Sequence, residues 1–325
     1  MGTGKVGLAG PAFPALGLGC NALTGEYGPA DKTAISTTVR RALDLGVRMI
    51  DMAGAHRPGD LERAVGKAIR GSRVLIATRG GLRFGAAGEP AGADGRPGAL
   101  ARACDASLRR LAVDAIDIFY LAGIDPRVPV EESVGGLGQL VDAGKIRYIG
   151  LSQASAEELR RAHAERPVAA LALEYSLLER GAEAAELPTA RALGVTAVAS
   201  RPLARGLLTG RISSVDHLHV DDVRRDDRRF QPENLEHIGH RLLAAQQLAA
   251  EKHVSLGRLA LAWLLAQPGV VPVPSTRDPL HLEMDAAAVK VRLTAEERDR
   301  LEAIFPTGSG SGAARRRDDD LTPGR

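Results

Sequence analysis

Aromatic residues are scarce in this chain, at 3% of 325 positions, so a surface that binds nucleic acid by stacking bases has little to be built from. Cysteine is nearly absent too. Cys20 and Cys104 are the only two and have no CxxC spacing, which excludes a disulfide framework and a cysteine-based zinc site. Apolar runs are short, and none approaches the roughly 18 residues a membrane helix needs. The segment "LGLGC" has the outline of a lipoprotein cleavage site, but Gly17 stands where a bulky aliphatic is expected and no apolar stretch precedes it. The reading is a cytoplasmic protein with no membrane and no nucleic-acid partner. A formal charge of +3 is small for this length, and 44% hydrophobic residues suffice for one large core.

What is present is rhythm. Short apolar bursts closed by Gly, Pro or a polar residue recur as "ALGLGC", "RMIDMA", "RVLIATR", "IDIFYLA", "RYIGLSQ", "ALALEYS", "VTAVASRP" and "VVPVPST". Helical spacing fills the gaps at 31–46, 59–70, 98–112, 130–144, 155–165 and 186–193, then at 237–253 and 255–267. Asp31, Asp60 and Ser155 suit first-turn or cap positions. Apolar strands alternating with single helices imply right-handed crossovers in a parallel sheet, and eight units close an α/β (β/α)8 TIM barrel. The expected organisation is one barrel domain over 1–306 and a disordered, low-complexity tail over 307–325. Residues 83–97 read as a featureless Gly-rich loop. The polar stretch 206–236 reads as a solvated charge run, with a lid over the site as the alternative.

Barrels work at the C-terminal ends of their strands. That places Asp51, at the end of the second strand, and Arg79, at the end of the third, around one cavity, with His56 in the loop after Asp51. An Asp51–Arg79 ion pair kept only for structure is the bland alternative. Other motifs fail on context. "GLGCNA" matches a dinucleotide-binding turn but runs into the loop "LTGEYGPAD", where a helix should begin. His217 and His219, with Asp216, Asp221 and Asp222, lie on a polar loop ill suited to hold a metal, and none is expected.

The chain resembles the aldo-keto reductase superfamily from about residue 15 to residue 305. The resemblance rests on "LGLGCNALTGEYGPAD", "RALDLGVRMIDMA", "IDIFYLAGIDPRVPVEESVGGLGQLVDAGKIRYIGLSQAS", "EYSLL", "RPLARGLLTG" and "VPVPST". It implies a (β/α)8 barrel that binds NADPH without a Rossmann domain and reduces carbonyls with an Asp/Tyr/Lys/His tetrad. Only Asp51 keeps the tetrad's residue type. His56 stands at the tyrosine, Arg79 at the lysine and Ala122, beside Gly123, at the histidine. A tyrosine titrates near about 10 and needs the lysine beside it, whereas a histidine titrates near about 6.5 unaided, so the first two exchanges are chemically coupled. Arginine keeps the charge but cannot release a proton.

For the cofactor, the resemblance assigns Tyr175 to stacking on nicotinamide and Ser152 to its carboxamide, while Ala172 replaces a glutamine there. Arg201 replaces a serine in the pyrophosphate loop, which continues through Leu203 and Arg205. Ser275, Thr276 and Arg277 remain for a phosphate, whereas Met284 and Asp285 break a Glu-Asn pair used for adenine. NADP is therefore expected to bind weakly or not at all. Three functions follow for a carbonyl-bearing small molecule. The preferred one is non-redox acid–base chemistry (cyclisation, dehydration or isomerisation) in specialised metabolism, with His56 as proton shuttle. The alternatives are an NADPH-dependent carbonyl oxidoreductase with His56 as the acid, and a barrel that binds a metabolite or partner without catalysis.

Overall fold

A computed structural model describes residues 10–29, 31–52, 58–85 and 90–309. His56 and residues 310–325 lie outside the described residues. Eight parallel strands alternate with helices: β1 (Leu18–Gly19), β2 (Met49–Asp51), β3 (Leu75–Gly80), β6 (Ile116–Ala122), β7 (Ile146–Ser152), β8 (Val168–Glu174), β9 (Thr196–Ser200) and β10 (Val270–Pro272). They pair in that spatial order. Backbone bonds from the Gly17 and Gly19 N–H groups to Pro272 and Pro274 O, at 3.1 and 2.8 Å, join the first strand to the last and close the barrel. All eight apolar bursts are strands, because a strand covered on both faces must be apolar throughout.

Between them run α1 (Lys32–Asp44), α2 (Pro58–Ala68), α3 (Pro97–Leu111), α4 (Val130–Asp142), α5 (Ala156–Glu165), α6 (Glu186–Ala192), α7 (Pro232–Glu251) and α8 (Leu256–Leu265). The caps form as their residue types dictate. The Asp31 carboxylate accepts the Thr33 N–H at 2.9 Å, and Ser155 with Glu158 makes a reciprocal capping box on α5. Two helices absent from the sequence reading, α9 (Pro279–Ala286) and α10 (Ala295–Ile304), follow β10. The supposed featureless loop instead contains an antiparallel hairpin, β4 (Leu82–Phe84) with β5 (Pro90–Ala93).

Two apolar clusters follow from the alternation along each strand. Met49, Ala77, Ile118, Tyr120, Ala170, Ala172 and Val198 fill the barrel's interior, while Ile50, Ile76, Phe119 and Leu121 point outward into the layer beneath the helices. That outer layer is tight. A Cβ on Gly66 of α2 would stand 2.2 Å from the Leu111 carbonyl oxygen at the end of α3. The obstacle is backbone, so no side chain can swing aside. Gly66→Ala is expected to lower stability by at least about 2 kcal/mol. Equilibrium urea unfolding measures this, and an unchanged midpoint would show that the helices separate freely.

Candidate active site

Period-two alternation puts Asp51 above Met49 and Arg79 above Ala77, on the inward face at the C-terminal end of the barrel. The carboxylate is 1% exposed. Arg79 Nη2 reaches Asp51 Oδ1 at 3.4 Å, and its Nη1 donates to Ser152 Oγ at 3.3 Å. The same guanidinium lies 5.6 Å from the ring centre of Tyr120, its register partner on β6. Three strands thus converge on one cation. Burial pushes the Asp51 carboxyl above its usual range, by more than the charge and hydrogen bond of Arg79 pull it down. Burial, reinforced by Asp51, also raises the Tyr120 phenol well above its ordinary value.

Tyr120 is the member of this group that the sequence reading missed. It sits two residues before Ala122, so the strand period places it on the same face, one layer below. Space for its ring comes from Gly150, where a Cβ would stand 2.4 Å from the ring. Among the described residues, its hydroxyl and Arg79 Nε are both buried without a hydrogen-bond partner. Ala122 and Ala172 face the cavity but supply no polar group.

A second charged assembly closes the rim beside β8 and β9. Arg201 pairs with Glu26 at 3.2 Å and Glu174 at 3.4 Å; Arg229 pairs with Glu174 and Asp227; Arg205 pairs with Asp227 at 2.9 Å. Burial pushes Glu174 up, yet Arg229 and Arg201 overcome it and hold the carboxyl below its usual range. Arg201, Ala204, Arg205 and Gly206 all take positive φ, folding the turn so tightly that two guanidinia share one patch. The stretch 206–236 is a solvated charge run only in part: Asp216, His217, Asp221, Asp226 and Arg228 are exposed, whereas other residues are held against the rim. Asp222 and Phe230 are 2% and 0% exposed, and a bridge ties Asp222 to Tyr27 across the rim.

The remaining expected cofactor residues are placed as follows. Leu203 packs at the margin of the outer cluster. Ser275 Oγ accepts the Ala22 N–H at 2.7 Å, Thr276 Oγ1 accepts that of Asp278 at 3.0 Å, and Arg277 donates to the carbonyls of Tyr27 and Pro29. Ser275 and Arg277 tie the last strand's loop to the first strand's loop, while the Thr276 bond stays within the former. Tyr175 requires a correction. It is 1% exposed, packs 5.5 Å from Trp263 in the outer layer and donates its hydroxyl to Glu183 at 2.8 Å. No face of that ring is open to stack on a nicotinamide. The signal was available, since Tyr175 lies just beyond β8 beside apolar Leu177 and Leu178, which are buried in the same outer cluster. Cys20 and Cys104 are buried free thiols. The His219 ring pairs with Asp221 at 3.5 Å, and Asp222 is held by Arg224.

The chain matches the Aldo/keto reductase family over residues 15–305. An aldo-keto reductase of Strobilurus tenacellus is 40% identical over 251 residues, covering 75% of this chain and 73% of that protein. Among solved structures, the glycerol dehydrogenase of Gluconobacter oxydans is 29% identical with a TM-score of 0.85, covering 94% of this chain and 95% of that one. An aldo/keto reductase from Klebsiella pneumoniae, solved with NADP and acetate, is 27% identical with a TM-score of 0.68, covering 90% and 92%. The chain belongs to the aldo/keto reductase family, and its fold is the family's (β/α)8 barrel. The family is one of oxidoreductases, and the Klebsiella pneumoniae enzyme has been solved both with NADP and with NADPH.

Proposed function

We propose that this chain is an NADP(H)-dependent oxidoreductase of a carbonyl-bearing small molecule, cytoplasmic and built as one barrel domain over 1–306. The observation that carries the reading is the partly buried cation of Arg79, held by the buried Asp51 and by Ser152 at the barrel's C-terminal mouth. The relatives support redox chemistry over the non-redox reading that the altered tetrad suggested, because those named are reductases or a dehydrogenase. No observation favours cyclisation or isomerisation in particular.

The donor set at the rim fits the cofactor's phosphates. Burial and the neighbouring charges of Arg201 and Arg229 lower the Arg205 pKa, which makes it the least compensated cation of a patch whose three guanidinia face the carboxylates of Glu26, Glu174 and Asp227. Arg201 Nε and Arg205 Nε are also buried without a hydrogen-bond partner among the described residues. A polyanion relieves both conditions. At the nicotinamide end Ser152 remains, while Ala172 and the sealed Tyr175 contribute nothing, which argues for weaker binding than the fold allows. Bound NADPH would supply the hydride.

The chain's own residues do the rest. Arg79 places a permanent charge where a carbonyl oxygen gathers negative charge, and Asp51 fixes the guanidinium in that place. Since arginine cannot give up a proton, it stabilises without protonating. We assign the proton to His56, whose type titrates near neutrality. Fluorescence titration is expected to show saturable NADPH binding, with NADPH absorbance lost when aldehydes or ketones are added. Absence of saturable binding would sink the redox reading. Binding without turnover across a carbonyl panel would leave a ligand-binding barrel in its place.

A further inference from the structure

A cleft of about 230 Å³ opens at the mouth of the barrel, lined by Arg83, Asp94, Arg96, Asp125, Arg127 and Val128. It is a built feature. The Asp94 N–H donates to the Gly81 carbonyl at 2.7 Å, directly after β3; Gly95 N–H reaches Asp125 at 3.3 Å; and Arg127 donates to the Ala93 carbonyl at 3.0 Å. These bonds lock the β4–β5 hairpin to the loop that follows β6. Asp125 is three residues beyond Ala122, and Gly81 two beyond Arg79, so the cleft adjoins the same strand ends as the candidate active site. Both α3 and α4 begin here, adding the partial positive charge of their N-termini.

Its charges do not cancel. Arg96 forms a two-pronged pair with Asp94 at 2.7 and 2.6 Å, and Arg127 does the same with Asp125 at 2.9 and 3.0 Å. Arg83 is exposed and has no carboxylate partner among the described residues. Its guanidinium lies over the bare backbone of Gly92 on the opposite hairpin strand, where a Cβ would stand 2.9 Å from Nη2. Hydrogen bonding to Arg96 holds Asp94 down at about 2, and Arg127 likewise lowers Asp125, so both acids are ionised at neutral pH. Among the described residues, three guanidinia against two carboxylates leave a single positive charge, carried by Arg83.

We propose that Arg83 is a specificity determinant that receives the carboxylate of a carbonyl-bearing substrate. This names the substrate class for the proposed oxidoreductase and rests on that reading. One residual charge matches a monoanion; a dianionic phosphate would face Asp94 and Asp125 with the excess. Specificity arises because a planar guanidinium grips a carboxylate through two parallel bonds.

The test compares para-carboxybenzaldehyde with para-tolualdehyde, a pair of similar size. The wild type is expected to show a KM at least about tenfold lower for the carboxylated aldehyde, the worth of one charge-assisted hydrogen bond. In Arg83→Ala the ratio should fall toward one, and Arg83→Lys should restore part of it. Thermal melts and NADPH quenching report on folding and cofactor binding in each variant. Calorimetry with benzoate gives a second readout that needs no turnover, and its heat should vanish in Arg83→Ala. Should neither aldehyde be reduced while benzoate binding depends on Arg83, the oxidoreductase reading fails and the carboxylate site stands. Equal KM values for the two aldehydes, or benzoate binding unchanged in Arg83→Ala, would overturn the proposal.

Discussion

Arg79→Met should cut kcat/KM by roughly 100-fold or more, the scale seen when one preorganised charge stabiliser is lost. It should also destabilise the fold by about 3–5 kcal/mol, because Asp51 is left as a buried carboxylate without its cation. Met fills most of the volume, so the loss is electrostatic. Asp51 has one escape, which is to take up a proton. Its pKa is already raised in the native state, so that state holds more protons than the unfolded chain above the ordinary carboxylate range. Stability tied to this group is therefore full at acid pH and lost as pH rises. The deficit of Arg79→Met should deepen from pH 5 to pH 8, read by denaturant unfolding at each pH.

The double variant Asp51→Asn/Arg79→Met decides between function and architecture. Removing both charges leaves a neutral pair in a buried place, and replacing a buried ion pair by uncharged residues is often neutral. Most of the lost stability should return, so the two substitutions are far from additive. Activity should not return, since no cation then faces the carbonyl oxygen. Recovery of turnover with stability would mean that the pair only holds the barrel together.

The sequence exposed the barrel because a strand covered on both faces has to be apolar along its whole length, and eight such runs at regular spacing leave few other folds. Asp51 and Arg79 were legible for the same reason: a charged residue ending an apolar strand stands at a barrel's working end. Tyr175 was misplaced because a motif gives chain position and not direction. Its ring turns outward to Trp263 and Glu183, a consequence of the turn after β8. The hairpin β4–β5 was hidden by glycines, which weaken the alternation that marks a strand. The segment 206–236 misled through its charge, since acidic and basic residues in one run look alike in sequence whether they face water or each other. Asp222–Arg224 and Asp227–Arg229 are pairs two residues apart that bury their acids by pairing locally.

The strongest pH dependence outside the active site should come from Asp285. This residue lies on α9, is 7% exposed and has only the charge of Arg258 to offset burial, which pushes its carboxyl up to about 7. The unfolded chain ionises the group near about pH 4, so between that value and about 7 the native state binds the extra proton. Stability therefore falls across this window and levels off above it, by roughly 4 kcal/mol if the native group is fully charged at the end. Asp285→Asn keeps the shape and never ionises. The variant's melting temperature should coincide with the wild type's near about pH 4 and exceed it by about 5 °C at pH 8. Parallel melting curves across the range would show that Asp285 is solvated and ordinary.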